Sequence, residues 1–183
     1  MFKKSIFALL LLLMSVGLFA RTDIWGANVS GDWELIGSPF YVHANIWIDR
    51  GDVLTIEPGV VIYYLNNAGL TVYGQLFAGS DNSPSVIMNS GRGAPGWNGI
   101  IFNYATHSVL INVNISDVRE SIAILIMNNS SNIEIHESLI HRNIANVSLY
   151  YNGSPGVTIH GSSNILIRKT RIYDNETKFV KPL

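Results

Sequence analysis

The sequence predicts an all-β chain wound into a coiled β-solenoid, and three observations carry that prediction. A short pattern is repeated: Ser130-Ser131-Asn132-Ile133-Glu134-Ile135 returns 32 residues later as Ser162-Ser163-Asn164-Ile165-Leu166-Ile167. Ser138, Ile140 and Asn143 are likewise echoed by Thr170, Ile172 and Asn175. Val, Ile, Thr and aromatic residues come in short runs separated by Gly, Pro, Asn and Asp, the composition of strands and turns. No window holds apolar residues at the i, i+3, i+4, i+7 spacing of an amphipathic helix. Repeats of roughly 20–50 residues mean stacked units that bury a continuous core only together.

Residues 1–20 read as a secretory leader. Lys3 and Lys4 precede an almost wholly apolar stretch from Ile6 to Phe19, and Ala20 stands where a signal peptidase favours a small residue. The stretch is shorter than the roughly 20 residues a membrane-spanning helix needs, so no stable membrane span is expected. The chain contains no cysteine. Lipid attachment after the leader, disulfides, thiolate metal sites and a cysteine nucleophile are therefore excluded. The remaining 163 residues (183 less 20) are one domain by size. Setting aside the two leader lysines, ten basic residues face thirteen acidic ones. No positive field exists to hold a phosphate backbone, so nucleic acid is not expected as a partner.

Residues 21–45 hold Trp25, Trp33 and the run Ser38-Pro39-Phe40-Tyr41-Val42. Aromatics this dense ahead of a repeat suggest a cap, because an open solenoid end exposes apolar side chains and strand edges. A β-helix is expected over 46–178, with 179–183 as a C-terminal tail. Ile46-Trp47-Ile48 alternates before the turn Asp49-Arg50-Gly51-Asp52. Leu54-Thr55-Ile56 precedes the turn Glu57-Pro58-Gly59, and strands follow at 60–64, 70–73 and 75–78. Residues 89–96 read as an exposed loop.

Three repeats then follow at 99–120, 121–143 and 144–175, the last lengthened by a Gly/Ser/Pro-rich bulge at 153–161. Stacked at about 4.8 Å, they should align Ile111, Ile135 and Ile167 in one inward column. Ile100, Ile122 and Val147 form a second, and Phe102, Ile124 and Leu149 a third. Each buried aliphatic contributes roughly 1.5–3 kcal/mol. Ile115 should align with Ile140 and Ile172. On the outside, His136 should lie beside Arg168, and Glu137 should pair with Lys169 across adjacent coils. Asn143 and Asn175 should stack where the chain turns.

Three segments carry a family resemblance. They are Leu54-Thr55-Ile56-Glu57-Pro58-Gly59-Val60-Val61-Ile62, Leu70-Thr71-Val72-Tyr73-Gly74-Gln75-Leu76-Phe77-Ala78-Gly79 and Trp97-Asn98-Gly99-Ile100-Ile101-Phe102. With the Ser-Ser-Asn-Ile repeats, they resemble secreted bacterial right-handed parallel β-helix proteins of the pectate-lyase-like superfamily, over about residues 31–175. The resemblance implies a right-handed parallel β-helix with an N-terminal cap segment, on an exported or cell-surface bacterial protein. Many members carry cysteine at the inward position held here by Ser138 and Thr170. Such proteins are often much longer, so a short paralogue or truncated gene is the expectation.

That superfamily includes polysaccharide enzymes, which fixes the chemistry to look for. Hydrolysis needs two carboxylates on one surface, and no Asp-Asp pair occurs. A calcium-dependent lyase needs several acidic ligands and a base; Asp49 and Asp52 flank Gly51 as an ordinary turn does. Glu134, His136, Glu137 and His141 form the densest titratable group. On a strand, Glu134 and His136 share the outward face, and with Arg168 and Tyr150 they are the candidate ligand-contact surface. No catalytic set, metal site or cofactor is expected. The expected function is an exported non-catalytic β-helix module, a surface or extracellular binding or structural protein. Its expected partner is a polysaccharide or a cell-surface protein, and end-to-end self-association is open to it. The alternatives are a polysaccharide lyase or glycoside hydrolase, or a truncated fragment without independent function.

Overall fold

The computed structural model describes residues 21–119, 121–146 and 154–178. The expected leader and tail, together with Val147, Leu149 and Tyr150, lie outside the described residues. From Ile46 the chain visits three sheets in the same order five times, and every strand pair formed is parallel. This is a parallel β-helix. The first sheet holds Ile46–Ile48, Leu70–Val72, Ile100–Asn103, Ile124–Met127 and Val157–Ile159. The second holds Gly31–Trp33, Val53–Ile56, Gln75–Ala78, Thr106–Ile111, Ser131–His136 and Ser163–Arg168. The third runs Thr22–Ile24, Phe40–Val42, Val61–Tyr64, Val86–Ser90, Val113–Ser116, Leu139–His141 and Arg171–Tyr173. A two-stranded sheet joins Ile144–Asn146 to Glu176–Lys178. No helix among the described residues is long and apolar enough to cross a membrane.

The corners explain the punctuation of the sequence. Asn112, Glu137 and Lys169 turn the chain from second to third sheet with φ of 53°, 51° and 49°. Asp117, Arg142 and Asp174 leave the third sheet the same way, with φ of 62°, 56° and 51°. Asn and Asp enter this left-handed region readily because their short polar side chains bond locally. Glu137, Arg142 and Lys169 adopt it at matching corners of the stacked coils.

Inside, alternate residues of each strand stack in columns. Ile46, Leu70, Ile100 and Ile124 form one, and Ile48, Val72, Phe102 and Ile126 a second. Ile62, Met88, Ile115 and Ile140 form another on the third sheet, all of them buried. Trp97 and Tyr64 stack with ring centroids 4.2 Å apart, and Trp97 Nε1 donates to the Ser116 carbonyl at 2.7 Å. Complete burial raises the pKa of the Tyr64 phenol.

The register over the last two coils is as the repeat predicts: Ser131 faces Ser163, Ile133 faces Ile165 and Ile135 faces Ile167. Ile115, Ile140 and Ile172 align. Three expectations need correction. Ile111 pairs with His136, and Leu110 takes the inward place opposite Ile135. Ile100 faces Ile124, not Ile122, and Phe102 faces Ile126. The fifth coil re-enters the first sheet at Val157–Ile159, inside the segment read as a bulge. Ile122 is itself buried, but in a corner, so apolar identity alone could not separate it from the strand.

Side-chain oxygens join successive coils at the corners. The Leu76, Ala105 and Val113 N–H groups donate to the hydroxyls of Ser108, Ser130 and Ser138 in the following coil, at 3.0–3.1 Å. Val118 N–H donates to Asn143 Oδ1 at 3.0 Å, and Asn143 N–H to Asn175 Oδ1 at 3.1 Å. Each such bond satisfies an amide that the sheet ladder leaves over.

Candidate functional site

The structure separates the residues that the sequence groups together. Glu134 and His136 do face each other on the second sheet, with His136 Nε2 donating to Glu134 Oε2 at 2.7 Å. Arg168 stands beside His136 in register. His136 is nevertheless buried, and its Nδ1 has no hydrogen-bond partner. Glu137 lies at the next corner and accepts from Lys169 Nζ at 2.9 Å, as the sequence predicts. That ammonium holds the Glu137 carboxyl below the usual carboxylate range. His141 is on the third sheet, bonded to Asn114 Oδ1 at 2.9 Å and stacked on Tyr173. Burial, then the Arg142 charge, lowers its pKa. Tyr150 lies outside the described residues. Among the described residues, no three His, Asp or Glu stand close enough to share a metal ion.

A more developed concavity lies on the outer face of the first sheet. Strand alternation turns Trp47 outward between the inward Ile46 and Ile48. Its register neighbours on the next two coils are Thr71 and then Ile101. The middle coil is low because it presents Gly69 and Thr71 between the larger Trp47 and Ile101. Gly69 fits closely there: a Cβ would lie 3.0 Å from the Asn98 Cβ and 3.3 Å from the Gly99 carbonyl oxygen, tighter than ordinary packing. The resulting hollow measures about 410 Å³, within the range of small-molecule sites. Asn45 and Asn98 border it at one end, Asp49 and Tyr73 at the other.

Tyr73 is shared with a second hollow of about 470 Å³, bounded by Arg50, Gln75, Tyr104 and Thr106. The Arg50 guanidinium lies 5.2 Å from the centre of the Tyr104 ring, within cation–π reach. Gly74 lets the chain pack closely on the turn below it: a Cβ there would run into the carbonyl oxygens of Asp49 and Asp52. Asn28 fixes the intervening turn, its Oδ1 accepting from Asp49 N–H at 3.0 Å and its Nδ2 donating to Asp52 Oδ2 at 2.6 Å. Aromatic faces with a few convergent amides and one carboxylate suit a ligand with both apolar faces and hydroxyl edges. The sequence carried one signal of this site, the outward Trp47 between two inward isoleucines. No family model, curated protein or solved structure matches the chain.

Proposed function

We propose that the chain is an exported, non-catalytic module of the right-handed parallel β-helix type that binds carbohydrate in the hollow between Trp47 and Ile101. The observation that carries this reading is the groove's construction. An indole and a phenol supply flat apolar surface, and Asn45, Asn98 and Asp49 supply hydrogen-bonding groups at its ends. Sugar rings offer the matching combination of C–H faces and hydroxyl edges. The secretory leader expected at 1–20 supports an extracellular or surface location. Binding is favoured over hydrolysis because Asp49 is the one carboxylate lining the hollow, whereas both hydrolytic geometries use two.

The test is affinity electrophoresis and calorimetry on a panel of cellulose, xylan, chitin and pectate fragments, with product analysis alongside. Retention of at least one polysaccharide without release of products is the expected result. Trp47→Ala should weaken that binding at least tenfold, the scale of losing a central aromatic anchor. Turnover of any substrate, or binding indifferent to Trp47, would count against the reading.

A further inference from the structure

Trp25 is the residue that neither the core nor the groove accounts for. It is 73% exposed, yet its ring is held parallel to His43 at 3.9 Å with an interplanar angle of 9°. His43 Nε2 donates to Asp23 Oδ1 at 2.6 Å. Asp23 is gripped in turn by Arg21, through Nε at 3.0 Å and Nη2 at 2.7 Å. The Arg21 guanidinium rests 4.3 Å from the centre of the Tyr41 ring. An exposed indole braced on one face by this chain of contacts leaves its other face to solvent. The stacking on His43 sets the orientation of the ring without a ligand, and presetting a contact surface is how a binding platform gains affinity.

Its position ties it to the groove. The segment after Trp25 runs beside the strand that carries Trp47: Trp47 N–H donates to the Ala27 carbonyl at 3.1 Å, and Val29 N–H to the Trp47 carbonyl at 2.8 Å. A Cβ on Gly26 would lie 3.0 Å from the Ala44 Cβ and 3.3 Å from the Asn45 carbonyl oxygen. Asn45 borders the hollow, so Trp25 stands just beyond that end of it. The surroundings are polar, with Arg21, Asp23 and Asn28 all exposed. The other strongly exposed apolar residues near this end, Leu35 and Ile36, lie at the corner between the second and third sheets, where Leu35 faces Gly59. A single indole among polar groups fits a sugar ring better than a membrane or a broad protein face, which would need a wider apolar patch.

We propose that Trp25 is a second sugar-stacking platform, so that the site takes an oligosaccharide reaching from the hollow past Asn45 rather than a single sugar. This rests on the carbohydrate reading of the groove. The test compares trimers and hexamers of cellulose, xylan, chitin and pectate by calorimetry on wild type, Trp25→Ala, Trp25→Tyr and Trp47→Ala. Trp25→Ala should weaken the hexamer about tenfold, leave the trimer unchanged and keep the wild-type melting temperature. Trp25→Tyr should recover most of the loss, and Trp47→Ala should weaken both lengths. If Trp25→Ala leaves hexamer binding intact while Trp47→Ala weakens it, the second platform is overturned and the groove reading stands. If no oligosaccharide binds, or neither substitution matters, both fall together.

Discussion

The first turns of the stack and its last described coil share one ladder of parallel pairs but bury their inward residues differently. At the N-terminal end Val29, Trp33 and Phe40 are buried, and the rings of Trp33 and Phe40 lie 4.6 Å apart and nearly parallel. In the last described coil Ile165 and Ile167 are only partly buried, and Ile159 and Ile172 are 47% and 43% exposed. Both regions make their strand-to-strand hydrogen bonds. The difference teaches that the ladder sets the shape of a coil, while the size of the side chains at its inward positions decides how much apolar surface a first or last coil hides.

The strongest way to break this comparison is to remove the planar pair. Trp33→Ala should cost about 3–5 kcal/mol in urea unfolding, against roughly half of the usual 2–5 kcal/mol for Ile167→Ala. Equal costs would mean that the two regions are covered alike in solution. A finer probe uses the asparagine ladder. Asn143→Ala strands the buried Val118 N–H and should cost about 1–3 kcal/mol, while Asn175→Ala, at a partly exposed position, should cost less. Thermal melts of the two variants would show the order.

The smallest expected effect is at Glu137 and Lys169, on the outside of the coil and indifferent to how the interior is covered. The Glu137 carboxyl is lowered first by its hydrogen bond from Lys169. The pair's contribution is therefore present above the ordinary carboxylate pKa and lost as pH falls through the lowered value. Because both groups are exposed, the change in stability should be slight and weaker still in salt. A carbon NMR titration of Glu137 should show its pKa returning toward the ordinary value in Lys169→Met.

Much of the fold was legible because the last two coils repeat Ser, Asn and Ile at one spacing, and stacking converts equal spacing into contact. The earlier register was less legible. The corner after Ile100–Asn103 holds two residues, Tyr104 and Ala105, whereas the one after Ile124–Met127 holds three, Asn128, Asn129 and Ser130. The offset between these coils therefore changes from 24 residues (Ile100 with Ile124) to 25 (Leu110 with Ile135). That is why Ile111 reads as core when Leu110 fills the column; Ile122, an apolar residue in a corner, reads as the strand residue Ile124 two places on. The candidate site was harder still. The hollow exists because Gly69 and Thr71 fall between Trp47 and Ile101, residues brought together from three coils. No local pattern announces that placement. The Glu134–His136 pair was readable from alternation, but the burial of His136 was not.

The corner ladders have a direction. From Leu76 onward the amides of one coil find their acceptor oxygens in the next: Ser108, Ser130, Ser138, Asn143 and then Thr170 and Asn175. A whole turn could be duplicated between the corners that repeat, Ser138 with Thr170 and Asn143 with Asn175, and the donors there would still meet a suitable oxygen. A cut through the middle of a turn would leave amides stranded on both sides. Molecular length in such a chain is thus a variable that can change in complete increments, which makes copy number a unit on which natural variation, or a protein engineer, can act.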